Sequence, residues 1–342
     1  MVWWHPEDFK RKIPYLHARA EVLRAVRGFF DARGYLEVET PALQVSPCME
    51  PHIQAFKTEL VSADRQTRQT MYLHTSPEFA MKKLLVAGLP KIYQFAKVFR
   101  NAEGSSWHSP EFAMLEWYQA GMDYKDMMQE TIDLLRHVAV EPMTALGKTS
   151  DPHLPWEKIT VVEALKKYAG VDISEHLNDL GHIVKEAARI GVHVSPHDDW
   201  DNALLKILMD RVEPQLGTPA PAIIYDYPVS MAALSRPKPE DPRFAERFEV
   251  YVCGIELANA FGELTDAKSQ RERFLHDVAA RKRLYGDDYP VDEDFLKALE
   301  YGLPNSSGNA LGLDRLVMLV TGADRIALVQ AAPVIGDGEV EG

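Results

Sequence analysis

The chain has 342 residues, 46% hydrophobic and 26% charged, a balance that suits a folded globular protein and excludes a disordered or fibrous one. A net charge of −13 gives no general attraction for a polyanion, and two isolated cysteines, Cys48 and Cys253, exclude a disulfide framework or a spaced zinc site. The opening MVWWHPEDFKRK has no apolar signal core, and no stretch offers about 18 uninterrupted apolar residues, so a cytoplasmic protein with no membrane partner is expected.

From Leu16 to Gly34, Leu16, Ala20, Leu23, Val26 and Phe30 recur at three- and four-residue steps, which predicts an amphipathic helix closed by glycine. YLEVETP then alternates as a half-buried strand and stops at Pro41. A short strand is expected at 72–75, and Pro77 suits the first residue of a helix running to Gly88. Residues 91–100 and 111–122 read as two strands joined by the polar segment AEGSSWHS.

Helical periodicity follows at 124–138, 161–168, 177–190 and 201–212, which suggests a helical insertion at roughly 140–220. Strands are expected at 222–227, 247–252 and 255–264, with Cys253 and Gly254 at a tight hairpin connection. Helices at 267–285 and 292–301 precede the Gly/Ser-rich passage SSGNALG, read as a turn into the apolar helix LDRLVMLV, and the last fifteen or so residues read as a loose tail. Strands crowd both ends with helices between, so the fold class is α+β with a mostly antiparallel sheet flanked by helices.

Three segments carry candidate chemistry. In FRNAEGSSWHSPEF, Arg100 ends one strand and Phe112 begins the next, with Glu103 and His108 in the loop between. A guanidinium can fork onto two phosphate oxygens, a loop histidine can reach a third, and an aromatic ring can cover a base. In RFEVYVCGIELANAFGELTD, Glu249 and Glu256 face each other roughly across the hairpin, and Asn259, Phe261 and Glu263 share a face by their period of two. A carboxylate pair beside a triphosphate suits magnesium. In GNALGLDRLVML, small residues allow close backbone approach, and Arg315 lies in the first turn of a helix. Taken singly, each segment has a plain alternative: a charged surface hairpin, outward-facing glutamates, or a glycine-marked turn.

Together, TSPEFAMKKLLVAG, FRNAEGSSWHSPEFAMLEWY, GIELANAFGELTDA and ALGLDRLVML resemble, in this order, the signature motifs of class II aminoacyl-tRNA synthetases, and more narrowly the lysyl branch. The resemblance covers nearly the whole chain and implies that family's catalytic core over 1–342, built on an antiparallel sheet and working as a homodimer. It implies that Arg100 grips the α-phosphate, that His108 and Arg315 take the distal phosphates, and that Phe112 lies on adenine. Arg100 and Arg315 would be the catalytic pair. Asn101, Ala102, Glu103, Ser109, Glu256, Leu257 and Gly312 would complete the ATP site, and Glu249 with Glu256 would hold Mg2+. The amino acid would lie among Ser76, Glu78, Glu116, Tyr118, Asn259, Phe261, Glu263 and Ala310.

The core helix begins near Leu16, which leaves too few residues before it for the anticodon-binding barrel of a bacterial lysyl-tRNA synthetase. This organisation resembles the synthetase paralogues that transfer lysine, preferably (R)-β-lysine, to a lysine side chain of elongation factor P, with tRNA not expected as a partner. Ala310, where tRNA-charging members carry glycine, agrees. The sequence departs from the family at Ala102, Ser109 and Ala260, and Glu103, one step on, is the candidate to serve for the glutamate missing at Ala102. Two alternatives stay open: charging of tRNA or another amine, and an amino-acid-binding regulatory paralogue without chemistry.

Overall fold

A computed structural model describes residues 3–334. The chain divides into two compact units, Met1–Asp123 with Glu263–Gly342, and Tyr124–Gly262.

In the first unit, the strand Lys91–Phe99 pairs in antiparallel fashion with Glu111–Ala120, which pairs antiparallel with Ser306–Gly312. The short strand Leu36–Glu37 adds a parallel edge on Lys91–Phe99. Alternation along Glu111–Ala120 sends Leu115 and Trp117 to one face and Phe112, Met114, Glu116 and Tyr118 to the other. The first face is covered by the helix Ile13–Asp31, whose Val22, Val26, Phe29 and Phe30 are buried. Phe30 stacks on Tyr93 at 4.7 Å and lies 5.5 Å from Trp117. Helices Glu78–Val86, Ala267–Tyr285 and Glu293–Gly302 pack together through Phe79, Phe274 and Phe295.

The passage SSGNALG, read as a turn, is a strand. Its register sets Gly308 against Tyr118 and Ala310 against Glu116. Glycine weakens a strand unless something crowds it, and a Cβ on Gly308 would lie 2.1 Å from the Tyr118 ring and 2.6 Å from Glu263 Oε1. Lys57–Val61 escaped the sequence reading, and the strand expected at 72–75 begins earlier, as Arg68–Leu73; the two pair as a hairpin whose Met71 and Tyr72 are buried. The strand expected through YLEVETP is only two residues long.

In the second unit, Glu157–Thr160 runs parallel to Ala222–Pro228, which pairs antiparallel with Phe244–Val252, followed by Ile255–Gly262. Cys253 and Gly254 both adopt positive φ, as a two-residue hairpin turn requires. Helix Tyr124–Val138 opens the unit, and the segments Leu180–Arg189 and Trp200–Ile207 bury Ile183, Ala187, Trp200, Ala203, Leu204 and Ile207 in its own core. Asp179 and Asp199 cap these two helices through their side chains. Among the described residues no helix is long and apolar enough to cross a membrane. The expected tail falls partly on residues 335–342, outside the described residues.

Candidate active site

The first unit assembles two chemically distinct patches on one face of its sheet. Along Glu111–Ala120, Phe112 lies four residues from Glu116, about 13 Å on a strand, and both point the same way.

At the Phe112 end, Arg100 leaves the Lys91–Phe99 strand with its guanidinium 5.2 Å from the Phe112 ring. Its Nε is buried without a hydrogen-bond partner, as is the Ser109 hydroxyl. Buried orphan donors beside an aromatic face are what a bound nucleotide would satisfy. The loop between the strands is tied locally: Asn101 N donates to the Gln54 carbonyl, and Asn101 Oδ1 accepts from Ala102 N. Ala102 itself has φ 58 and is exposed, whereas Glu103 next to it is half-buried.

His108 joins this patch to the last motif. The Arg315 guanidinium donates to His108 Nε2 at 2.7 Å, and Nδ1 lies 2.8 Å from the Ser105 hydroxyl. A guanidinium cannot accept, so Nε2 is the acceptor and the proton sits on Nδ1, donated to Ser105. The residue as a whole is exposed, yet crowding of the imidazole, and then the charges of Arg315 and Arg100, push it down to about 4. His108 is therefore a neutral ring at neutral pH. Gly312 precedes the helix Leu313–Thr321 at its N-cap, which puts Arg315 in the first turn.

At the other end lies a carboxylate pocket. Glu116 is fully buried; one oxygen accepts from the Ser76 hydroxyl at 2.5 Å and the other from the Tyr118 hydroxyl at 2.9 Å. Ser76 also accepts from Glu78 N at 3.1 Å, which ties the start of the helix to the strand. Burial, then the Glu78 charge, pushes the Glu116 carboxyl up to about 8 despite its two hydrogen bonds and the nearby Lys82. Burial and the Glu116 charge likewise hold Tyr118 well above the ordinary phenol range, so it stays a donor. Ala310 sits opposite Glu116 and packs with Phe112 against Ala96, Val98 and Met114.

The other two carboxylates have a partner that sequence reasoning missed. Lys82 is fully buried, with Nζ 2.5 Å from Glu78 Oε1 and 2.5 Å from Glu263 Oε2. Burial alone would strip its proton, but the Glu263 and Glu78 charges outweigh that, and its pKa is raised. The signal was present in PEFAMKKLL: Lys82 follows Glu78 by four, on the helix side that also buries Phe79 and Leu85. Asp314, also overlooked, is an anchor. It is buried and accepts from Arg19, from Ala113 N at 3.0 Å and from Gln330 Nε2 at 3.0 Å.

In the second unit, register corrects the expected facing of Glu249 and Glu256. Glu249 pairs with Asn259, and Glu256 pairs with Tyr251, with a bulge between. Leu257 takes the extra position and is buried together with Ala258. The bulge returns Glu256, three residues from Asn259, to the face of Asn259 and Phe261. Asn259 Oδ1 is a buried acceptor without a hydrogen-bond partner.

Both Glu249 oxygens are engaged by protein donors in this arrangement. One oxygen accepts from Arg247 at 2.5 Å, and the other from the hydroxyls of Tyr227 at 2.6 Å and Tyr251 at 2.7 Å. It holds Arg247, whose guanidinium lies over Tyr227 and 5.8 Å from the Phe261 ring. No group of three His, Cys, Asp or Glu side chains gathers for a metal among the described residues.

An antiparallel sheet that presents a strand arginine, a covering aromatic ring and a first-turn helix arginine defines a class II synthetase core, and the family tRNA synthetases class II (D, K and N) matches residues 10–335. The chain belongs to that family. It is 41% identical to the elongation factor P--(R)-beta-lysine ligase of Vibrio cholerae serotype O1 over 94% of this chain and 95% of that protein. It is 40% identical to the protein of the same name from Avibacterium paragallinarum, over 94% and 95%. The lysine--tRNA ligase of Pelotomaculum thermopropionicum is also 40% identical, over 93% of this chain and 62% of that one.

Proposed function

We propose that the protein activates lysine or (R)-β-lysine with ATP and transfers it to a lysine side chain of elongation factor P. The single observation that carries the amino acid assignment is the buried Glu116 carboxylate with its two hydroxyl donors, Ser76 and Tyr118. An ammonium leaves water only for fixed, charged acceptors, and Glu116 becomes one by giving up its proton as the ammonium arrives. The acceptor assignment rests on the names of the relatives.

In the proposed reaction the amino acid carboxylate attacks the α-phosphorus of ATP, an oxygen–phosphorus bond forms, and pyrophosphate leaves. The acceptor's side-chain amine then attacks the activated carbonyl, losing a proton as AMP departs. Arg100 neutralises charge on the α-phosphate, and Arg315, with neutral His108 as its hydrogen-bond partner, takes the distal phosphates. Phe112 covers adenine. Asn101, Ala102, Glu103, Ser109, Leu257 and Gly312 border the nucleotide, and Asn259, Phe261 and Ala310 the amino acid. Magnesium enters with the triphosphate, and Glu249 and Glu256 are the carboxylates proposed to meet it. The chain is read as one cytoplasmic catalytic domain over 1–342 with a helical insertion at about 140–220, working as a homodimer.

ATP–pyrophosphate exchange with α-lysine, (R)-β-lysine and other amino acids tests the shared chemistry. Lysine-type dependence is expected; exchange with no amino acid would leave a binding module. Purified elongation factor P should then take up the label, whereas charging of tRNA alone would favour the lysine--tRNA ligase relative as the guide.

A further inference from the structure

The strand Glu111–Ala120 outruns one of its neighbours. Ser306–Gly312 pairs with it only as far as Gly312 against Met114, because Leu313 begins a helix, so Glu111, Phe112 and Ala113 have no strand on that side. Backbone groups two residues apart face the same edge, which would leave the Glu111 carbonyl and the Ala113 N–H open there. Two buried side chains stand in for the missing strand. Gln330 Nε2 donates to the Glu111 carbonyl at 3.1 Å and to Asp314 Oδ2 at 3.0 Å, and the same Asp314 oxygen accepts from Ala113 N at 3.0 Å. A carbonyl and a carboxylate only accept, so the amide nitrogen of Gln330 must be the atom that faces them.

Gln330 is itself held in place. Arg19 Nη1 donates to the Val329 carbonyl at 3.3 Å and Lys12 Nζ to the Ala331 carbonyl at 3.4 Å, so both of its neighbours hang on the helix Ile13–Asp31 and its N-cap residue. Earlier in the same segment, Ile326 N donates at 2.7 Å to the carbonyl of Ser106, in the loop that joins Arg100 to Phe112.

We infer that Gln330 is a positioning residue for the nucleotide: with Asp314 it grips the two peptide groups that flank Phe112 and fixes this strand end against the helix that carries Arg315. This rests on the ATP-using reading above and deepens it. Phe112 is assigned to the base and Arg315 to the distal phosphates, so the gap between them must match the length of the nucleotide, and small misplacements of such groups are costly. Without the Gln330 amide the Glu111 carbonyl loses its partner on the helix side, and the Phe112 end of the strand is left to follow the loop.

The measurement is lysine-dependent ATP–pyrophosphate exchange with ATP and lysine varied separately, beside calorimetric titration of ATP, on the full-length parent, Gln330→Met and Gln330→Glu. Gln330→Met, which keeps the volume and loses both donors, should raise the KM for ATP about tenfold and leave the KM for lysine within about threefold. A folded Gln330→Met with the parental KM for ATP, or with both KM values raised alike, would overturn the inference and leave the ATP reading standing. Parent protein that neither binds ATP nor exchanges would overturn that reading and this inference with it. Gln330→Glu has the shape of glutamine and carries the test should Gln330→Met not fold. The charged groups around it are Asp314, Arg19, Lys12 and the Glu111–Lys97 pair. In mild acid its neutral carboxyl still donates one hydrogen bond, whereas once ionised it repels Asp314 and the Glu111 carbonyl. Its KM for ATP, divided by that of the parent at the same pH, should therefore climb as pH rises; a flat ratio would overturn the inference.

Discussion

Arg315 donates to His108 Nε2 at 2.7 Å, so the two groups assigned to the distal phosphates are bonded to each other and only one carries charge. The arginine is the cation, and the histidine is its neutral prop. Arg315→Ala should reduce amino-acid-dependent pyrophosphate exchange by about 10²-fold or more, and His108→Gln, which keeps an acceptor, by much less. Exchange kinetics at saturating lysine compare the two.

The same contact makes a pH prediction. His108 is depressed to about 4 by crowding and by Arg315 and Arg100, below the ordinary histidine value of about 6.5. As pH falls through 6.5 toward 4, the unfolded chain takes this proton and the folded chain does not, so stability is lost in that window. Arg315→Ala should raise the His108 pKa measured by NMR titration of its ring protons. An unmoved value would mean that the two side chains do not meet in solution.

Glu116 titrates in the opposite sense. Its folded pKa of about 8 lies above the ordinary value, so the neutral carboxyl favours folding at low pH, and that contribution fades as pH rises from about 4.5 through 8. Glu116→Gln should therefore raise the unfolding temperature of ligand-free protein at alkaline pH, by about 3 °C or more, while abolishing lysine binding. Lysine binding to the parent near pH 7 should release a proton, which calorimetry in buffers of different ionisation enthalpy would detect.

Gly308→Ala should damage the pocket from the strand side. Its Cβ would meet Tyr118 ring carbons at 2.1 and 2.3 Å and Glu263 Oε1 at 2.6 Å, so Tyr118 must turn away from Glu116. A loss of about 1–3 kcal/mol in denaturant unfolding and a raised KM for lysine are expected. A wild-type KM would show that Tyr118 is not needed.

Asp314 holds the start of its helix to the helix Ile13–Asp31, through Arg19, and to the neighbouring strand, through Ala113 N. Asp314→Ala removes the carboxylate from the part-buried Arg19, which keeps its bond to the Val329 carbonyl, and leaves the Ala113 backbone donor without its acceptor, so it should destabilise the fold by about 1–3 kcal/mol. Equilibrium unfolding is the check, and a change below about 1 kcal/mol would reduce Asp314 to a surface-type contact.

Local pattern alone located much of this protein. The period of two along FAMLEWY puts Phe112, Glu116 and Tyr118 on one face, and four ordered motifs identify the family before any coordinate is known. Helices with strong three- and four-residue periodicity, such as Tyr124–Val138, fall where expected, because their burial is set by residues within one or two turns. The remaining features depend on what lies opposite. SSGNALG carries turn residues, and only the closeness of Tyr118 and Glu263 explains a glycine inside a strand. Parity would separate Glu256 from Asn259, and only the bulge at Leu257, a matter of register with the neighbouring strand, brings them to one face. Likewise, a sequence shows that Glu78, Glu116 and Glu263 are acidic but not which of them is already neutralised. Lys82 decides that through contacts spanning 181 residues between Lys82 and Glu263 (263 minus 82), and charge pairing of that range is created by packing, not by local preference.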